Sequence, residues 1–389
     1  MIRKTLLCLL LCLLPVFALA DATPTDVLPP AEDITREVSI SGAEHRSRLR
    51  DGSYIHVSSA HRLTITAPEG KTIGGVSIRW KRFPLAVAIQ QRDADGSWVT
   101  VATYEGKHYQ QFYPVDGLQE IRILHRDQPG EAMEMLELTV VTPGEIPASV
   151  HVWQDPADKV DLMLLHGHPD DEVLWFGGLL PYYGGALGKE VLVVCASVSH
   201  YQRRQELLDA LWVCGIHTHP VFLGLEDVIS GDRDKVLDRW GRDRALMQVT
   251  ELYRRYRPDV VVTHDIQGEY GHGVHRAISY VARKALTLAA DASSYPRQVE
   301  ACGTWDVPKM YVHLYAENQL AMDWWQPLAC FVSRTAQDVA REAFLCHLSQ
   351  QDRGWAVEDH VEYDNSLFGL YRTTVGTDVT GGDLFEHIE

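Results

Sequence analysis

Two patterns of apolar and polar positions divide the chain. From about residue 38 to residue 143, short stretches alternate apolar with polar side chains, and turn pairs such as Asp-Gly, Glu-Gly and Pro-Gly separate them. A period of two over many short stretches predicts an all-β module, and the spacing is typical of a β-sandwich. The predicted strands cover residues 54–57, 62–66, 75–80, 86–90, 98–103, 120–124 and 135–141.

After the Pro- and Gly-containing segment 142–147, apolar strands alternate with helical patterns. The predicted strands cover residues 161–165, 191–196, 221–223, 259–263 and 310–315, and the predicted helices cover residues 172–184, 202–213, 235–256, 275–289 and 336–348. This alternation predicts an α/β fold, with a Rossmann-like, mostly parallel sheet and helices on both faces. We therefore predict a β-sandwich domain with its linker over residues 21–147 and an α/β catalytic domain over residues 148–389.

The first twenty residues have the pattern of a cleaved signal peptide. Arg3 and Lys4 are followed by the apolar stretch 6–14 and by the small-x-small sequence 18–20. The apolar stretch is too short to span a bilayer stably. We expect residues 1–20 to be removed, so that the mature protein is exported to the periplasm or the cell exterior and does not insert into the membrane.

Composition narrows the class of partner. With 46% hydrophobic and 23% charged residues, the chain is expected to be globular. Its formal charge is −17, and losing the two cations of the signal peptide makes it −19. So acidic a protein is not expected to bind nucleic acid or anionic membranes. Cys195 and Cys214 lie in apolar segments and are expected in the core, whereas a disulfide among Cys302, Cys330 and Cys346 stays open.

Two motifs carry the chemistry. His168-Pro169-Asp170-Asp171-Glu172 follows the predicted strand 161–165, and Tyr270-Gly271-His272-Gly273-Val274-His275 follows the strand 259–263. The carboxyl ends of parallel strands meet at one edge of a sheet, so the two motifs are expected to lie together. Imidazoles and carboxylates bind zinc and similar divalent metals, and catalytic zinc has three protein ligands with one position open. The sequence therefore predicts a metal-dependent hydrolase.

The same motifs, in their order along the chain, resemble the LmbE-like (PIG-L) zinc-dependent N-deacetylases. The resemblance covers about residues 158–350 and includes Gly177-Gly178, the helix that starts near Arg203 and ends at Gly215, and the segment 257–263. It implies a Zn²⁺ enzyme that removes acetyl groups from N-acetylglucosamine-type amino sugars or glycans. The β module resembles discoidin-like, galactose-binding-type sandwiches, which implies a carbohydrate-binding or spacing role.

The resemblance also implies roles for single residues. It implies three metal ligands: His168, Asp171 and His275. Asp170 matches the general base that takes a proton from the attacking water. Protonated His272 and the Tyr270 hydroxyl match groups that stabilise the oxyanion. One departure is Gly273-Val274, which replaces the Pro-Asp that is common between the two histidines.

Several of these residues have a second interpretation. Asp170 is also placed to cap the helix that begins near Glu172, and Tyr270 also fits a packing aromatic. We expect Glu172 to interact with the helix dipole and His166 to be a packed or supporting group rather than a fourth ligand.

Two further features stay open. Arg203 either binds a substrate hydroxyl or pairs with Glu206, and the acidic segment Asp227–Asp234 is either a loop beside the site or a solvated connection. Residues 368–374 are expected to form a strand that returns to the sheet or covers the pocket.

Three functions agree with this sequence. The first is an exported deacetylase of N-acetylated sugars that uses Zn²⁺ or another divalent metal. The second is a metal-dependent esterase or amidase acting on another acyl group. The third is a non-catalytic glycan-binding protein.

Overall fold

The computed structural model describes residues 28–357 and 362–388. The predicted signal peptide, residues 1–20, lies outside the described residues. Among the described residues, no helix has both the length and the apolar character needed to cross a bilayer. In this part of the chain the five cysteines are unpaired, and Cys195 and Cys214 are buried as expected.

Residues 39–141 form two antiparallel sheets that enclose a single apolar core. The nine strands are β1 (Ser39–Ser41), β2 (Ser58–Ala60), β3 (Leu63–Thr66), β4 (Ile73–Trp80), β5 (Val87–Arg92), β6 (Trp98–Tyr104), β7 (Gln110–Leu118), β8 (Glu120–His125) and β9 (Met133–Val141). One sheet has the order β1-β3-β8-β5-β6 and the other β2-β9-β4-β7. The predicted all-β module is confirmed.

Strand β7 was not predicted. It contains Pro114, which cannot donate to a β-ladder, and Gly117, so its sequence lacks a regular alternation. The strand lies at the edge of its sheet and pairs with β4 alone, where a proline is tolerated. The predicted strand 54–57 is wrong by a few residues, since the strand there is Ser58–Ala60.

The rest of the chain is an α/β unit. Its strands are β10 (Leu162–His166), β11 (Val191–Ser197), β12 (Val221–Leu225), β13 (Val260–Thr263), β14 (Lys309–His313), β15 (Gln319–Ala321) and β16 (Leu367–Thr373). They form one sheet in the order β12-β11-β10-β13-β14-β16-β15. The first five strands pair in parallel, and β16 pairs antiparallel with both β14 and β15. The mostly parallel sheet is confirmed, and the segment near residue 370 returns to it as β16.

Helices cover both faces of this sheet. They are α1 (Asp171–Leu174), α2 (Tyr201–Val213), α3 (Arg233–Trp240), α4 (Arg242–Tyr256), α5 (Gly273–Ala290), α6 (Pro296–Cys302) and α7 (Ala336–Phe344). Leu162 and Leu164 of β10 belong to the core under α2 and α7, whereas Met163 and Leu165 belong to the core under α3, α4 and α5. Strands buried on both faces explain the continuous apolar runs in the sequence.

Two predicted helices are interrupted. Gly241 has φ 72° and separates α3 from α4, so the predicted helix 235–256 is two helices. The predicted helix 172–184 is reduced to α1, followed by Gly177 at φ 49° and a short π-helix, Pro181–Ala186. Glycine adopts a positive φ without steric cost, so each break occurs at a residue that permits it.

Helix α2 is held against the sandwich. Asp209 accepts hydrogen bonds from Arg79 at 2.5 Å and from the Tyr54 hydroxyl at 2.6 Å, and Gln205 donates to the carbonyl of Trp80 at 3.2 Å. The boundary of the two domains near residue 147 stays a prediction, but the contacts tie the sandwich to the helix whose first turn lines the cleft described below.

The contact between the two units is expected to weaken in acid. Burial lowers the pKa of His219 to about 3 and that of His151 to about 4, from an ordinary value of 6.5. The His219 ring accepts a hydrogen bond from the Tyr109 N–H at 3.1 Å, which a protonated ring cannot do. Because the unfolded chain then binds more protons below pH 6.5, stability is full above that pH and falls as the pH drops towards the folded-state values.

Urea unfolding at about pH 7 and about pH 5 tests this expectation. The His219→Gln variant keeps an acceptor for Tyr109 without titrating, so it should lose less stability than wild type over that range. His61→Gln, at an exposed histidine of the sandwich, serves as the control. Equal losses in wild type and His219→Gln would contradict the expectation.

Candidate metal centre and active site

Both predicted motifs lie at the carboxyl ends of neighbouring parallel strands. His168 and Asp171 follow β10, whereas His272 and His275 lie at the start of α5, beyond the end of β13. Strands β10 and β13 pair directly, so their ends are adjacent. The structure thus brings together the residues that the sequence singled out, although they are about a hundred positions apart along the chain.

Asp171 lies between the two histidines that were predicted as ligands. Its Oδ2 atom is 3.3 Å from His168 Nδ1 and 3.2 Å from His275 Nε2. Zinc–ligand bonds of about 2.0–2.1 Å in a tetrahedral arrangement place ligand atoms about 3.4 Å apart. The Nε2 atom of His275 is buried and has no hydrogen-bond partner among the described residues. Asp171 therefore lies at ligand spacing from each of the two histidines. Two groups of side chains have ligand atoms that all lie within 4.8 Å of one another: His168, His272 and His275, and Asp171, His264 and His275.

His264, which lies outside both motifs and was not predicted, sits beside these groups. Its Nε2 atom is 3.3 Å from Asp171 Oδ2, and Asp171, His264 and His275 could also hold an ion by distance alone. The Gly167 N–H, however, donates to His264 Nε2 at 2.9 Å, while His264 Nδ1 donates to Glu269 at 2.6 Å. The lone pair that a metal needs is already used, so His264 is the weaker candidate ligand and instead holds the Gly167 backbone and Glu269 beside the site.

Glu269 accepts hydrogen bonds from three histidines at or beside the candidate metal position. It is fully buried, and its carboxylate accepts hydrogen bonds from His264, from His275 Nδ1 at 2.9 Å and from His313 Nδ1 at 2.6 Å. Burial alone would raise the pKa of Glu269, but the adjacent histidines hold it well below its usual range. Because the Nδ1–H group of His275 donates to Glu269, the Nε2 atom of His275 keeps a free lone pair for the metal position.

Asp170 lines the cleft and belongs to neither group of side chains close enough to share an ion. Its side chain makes no capping hydrogen bond to α1 and instead lies 3.0 Å from the Arg203 guanidinium. Burial and the neighbouring Asp171 carboxylate raise the pKa of Asp170 to about 6. Its backbone has φ 116° and ψ −30°, a region that residues other than glycine rarely adopt. The structure therefore favours the position of a base over that of a helix cap.

Three other expectations are refined. Glu172 does more than face a helix dipole, since its buried carboxylate contacts His347 and the Asp170 N–H. Arg203 does not pair with Glu206 but binds the Pro169 carbonyl and Asp170. His166 belongs to neither group of side chains close enough to share an ion, and its Nδ1 donates to the His168 carbonyl at 2.9 Å.

His272 and Tyr270 border the metal position. The Nδ1 atom of His272 is buried without a partner among the described residues, and burial followed by His275 lowers its pKa to about 4. A neutral ring is therefore favoured near neutral pH, in contrast to the expected protonated ring. Tyr270 is 43% exposed, and its ring packs 5.0 Å from that of Trp355 and 5.7 Å from that of Trp175.

These groups line a cleft of about 600 Å³. Besides the two motifs it is bordered by aromatic and polar side chains, among them Trp175, Trp355, Ser199, His200, Gln202, Gln350 and Arg353. The acidic segment after β12 also reaches it, since Asp227 Oδ1 is 3.3 Å from His168 Nε2. The segment is therefore a loop beside the site, and its Asp232 caps α3.

Gly167 allows the backbone to pass close to the ligands. A Cβ atom there would lie 2.9 Å from Asp171 Oδ2 and 2.9 Å from the Cδ2 atom of His275. We expect Gly167→Ala to weaken metal binding and to destabilise the fold by about 1–3 kcal/mol, the usual cost of overpacking. Metal titration and thermal unfolding measure both. Gly130→Ala, where a Cβ meets nothing within 4 Å, is the control, and equal behaviour of the two variants would refute the expectation.

Comparison with known proteins finds similarity to part of the α/β unit. The sequence model of the family described as "PIG-L: GlcNAc-PI de-N-acetylase" matches residues 163–286. The chain is 30% identical over 189 residues to 1D-myo-inositol 2-acetamido-2-deoxy-alpha-D-glucopyranoside deacetylase 1 of Catenulispora acidiphila, covering 41% of this chain and 57% of that protein. It is 31% identical over 176 residues to deacetylase 2 of the same description from Saccharopolyspora erythraea, covering 38% and 63%. The chain thus spans less than two thirds of these relatives.

Solved structures are similar over parts of the chain. N,N'-diacetylchitobiose deacetylase from Pyrococcus horikoshii has a TM-score of 0.37 and 18% identity, covering 51% of this chain and 73% of that one. The family 32 carbohydrate-binding module of NanJ from C. perfringens, in complex with galactose, has a TM-score of 0.24 and 18% identity, covering 28% and 98%. The match of the family model, together with the two motifs, identifies residues 163–286 as a PIG-L (LmbE-like) domain.

Proposed function

We propose that the protein hydrolyses the acetamide group of N-acetylated amino sugars or glycans, using a divalent metal, most simply Zn²⁺, held by His168, Asp171 and His275. The observation that carries the proposal is the spacing of Asp171 from both histidines, next to a cleft that Asp170 lines. The PIG-L domain and the relatives whose names describe deacetylases of an N-acetylated sugar support it.

A bound metal would polarise the acetyl carbonyl and make a water molecule more acidic. Asp170 then accepts the proton of the attacking water and later passes it to the departing amine, so that the C–N bond is replaced by a C–O bond and a free amino group. Arg203 orients Asp170 through their 3.0 Å contact. His272 and the Tyr270 hydroxyl border the position of the carbonyl oxygen and donate to it as negative charge develops.

The side chains that line the cleft support an N-acetylglucosamine-type ligand. Trp355 and Tyr270 offer apolar ring faces, and Gln202, Gln350 and Ser199 offer amide and hydroxyl groups for sugar hydroxyls. We further propose that the mature protein works in the periplasm or outside the cell, as residues 1–20 predict, and that nucleic acid and membrane lipid are not its partners.

Acetate release from a panel of N-acetylated sugars, small and polymeric, tests the proposal. The full-length mature protein should release acetate when loaded with zinc, stop after chelation and recover when zinc is returned. Acyl esters and other amides are assayed in parallel, since turnover of those compounds alone would favour the esterase or amidase instead. Metal binding without turnover of any acyl compound would leave a glycan-binding protein and overturn the proposal.

A further inference from the structure

A buried histidine from outside the matched residues 163–286 contacts the segment that carries Asp170. His347 follows α7, and its Nε2 atom is 2.6 Å from Glu172 Oε1. The second oxygen of the same carboxylate, Glu172 Oε2, accepts the Asp170 N–H at 2.8 Å. His347 and Glu172 are fully buried, so water does not compete for these bonds.

Asp170, whose N–H donates to Glu172, has a strained backbone conformation. Asp170 holds φ 116° and ψ −30° without being glycine. Such a conformation persists only where surrounding contacts fix it, and strained residues of this kind concentrate at functional sites. The Asp170 N–H bond to Glu172 is a direct restraint on that backbone, and His347 in turn fixes the Glu172 carboxylate.

His347 also lies directly before a segment that lines the cleft. The short 3₁₀-helix Leu348–Arg353 begins directly after it, and its residues Ser349, Gln350 and Arg353 line the cleft. Within the described residues, the buried Nδ1 atom of His347 has no partner. Among the described residues, the hydrogen bond of this ring is therefore the one to Glu172.

We propose that His347 and Glu172 are positioning residues that hold the backbone of Asp170 in the conformation from which its carboxylate faces the metal position. This inference rests on the proposed function of Asp170 as the base. It assigns a role in the reaction to α7 and the segment after it, which lie beyond the matched residues 163–286.

Kinetics of His347 variants test the proposal. His347→Ala is expected to lower kcat about 10-fold to 100-fold. KM and zinc content should stay near wild type, because His347 acts on the position of Asp170 and contacts neither substrate nor metal. His347→Gln, whose amide can still donate to Glu172, should recover most of the rate. In an Asp170→Asn background, His347→Ala should cause little further loss, since both changes affect the same step. His219→Ala, at a buried histidine that does not line the cleft, is the matched control.

Amide hydrogen exchange gives a readout that does not need activity. The peptide that contains Asp170 should exchange faster in zinc-loaded His347→Ala than in wild type or His347→Gln. Unchanged exchange, or rate losses that add fully in the double variant, would overturn the positioning role. If wild type hydrolyses no acetylated sugar, the proposed function fails, while the exchange result still decides whether His347 restrains Asp170.

Discussion

The Asp170→Asn variant is expected to lower kcat for acetamide hydrolysis by about 100-fold to 10,000-fold, the usual contribution of a general base. The amide keeps the size and shape of the side chain but cannot take a proton. Asp170 lies outside the set of His168, Asp171 and His275, so zinc content should remain near wild type. KM should change little, because a base acts mainly in the transition state. Steady-state kinetics and metal analysis of the purified variant measure both quantities.

Asp234→Asn is the matched control for this variant. Asp234 is an exposed acid on α3 that pairs with Arg233 and Arg242 and touches none of the proposed ligands. Its loss should leave kcat unchanged. An Asp170→Asn protein with a wild-type rate would remove Asp170 from the reaction. A variant that loses its zinc together with its rate would instead make Asp170 part of the metal site.

The Glu269→Gln variant is expected to weaken metal binding about 10-fold to 100-fold, as removal of a group that orients a metal ligand usually does. A glutamine has one acceptor oxygen where the carboxylate has two, and its amide N–H groups would face the N–H groups of His264, His275 or His313. The His275 ring then loses the bond that directs its Nε2 atom at the metal position. Breaking this buried network should also lower the free energy of unfolding by about 3–5 kcal/mol.

Competition with a chelator measures the affinity, and urea unfolding of the metal-free protein measures the stability. Glu206→Gln is the control, because Glu206 is equally buried but accepts hydrogen bonds from Ser349 and Gln202 instead of from metal-site histidines. Zinc affinity in Glu206→Gln should stay at the wild-type level. Wild-type affinity in Glu269→Gln would show that Glu269 does not orient His275.

The positions of the two motifs directly after apolar strands were enough to predict where the site lies. The two motifs each follow an apolar strand, and the rule that parallel strands end at one edge of a sheet predicts that His168 lies beside His275. His264 directly follows the same strand as the second motif, and Glu269 lies six positions before His275, so both stand close to the motif in the sequence. Neither residue is part of the two motifs, so in the sequence each resembles an ordinary loop residue.

The remaining contacts depend on tertiary packing. His313 reaches Glu269 from β14, and His347 reaches Glu172 across 175 positions of the chain. No spacing rule connects residues that distant, because their approach depends on how β14 and α7 pack. The break at Gly241 was missed for another reason. The apolar period continues across it, and only the backbone angle of the glycine separates α3 from α4.

Zinc-edge anomalous diffraction from crystals of the metal-loaded protein is the most direct measurement of the proposed centre. We predict one peak about 2.0–2.2 Å from His168, Asp171 and His275, with an open position facing the Asp170 carboxylate. A peak bound through His264 in place of His168, a peak bound through His272 in place of Asp171, or the absence of any peak among these side chains would contradict the proposed metal centre.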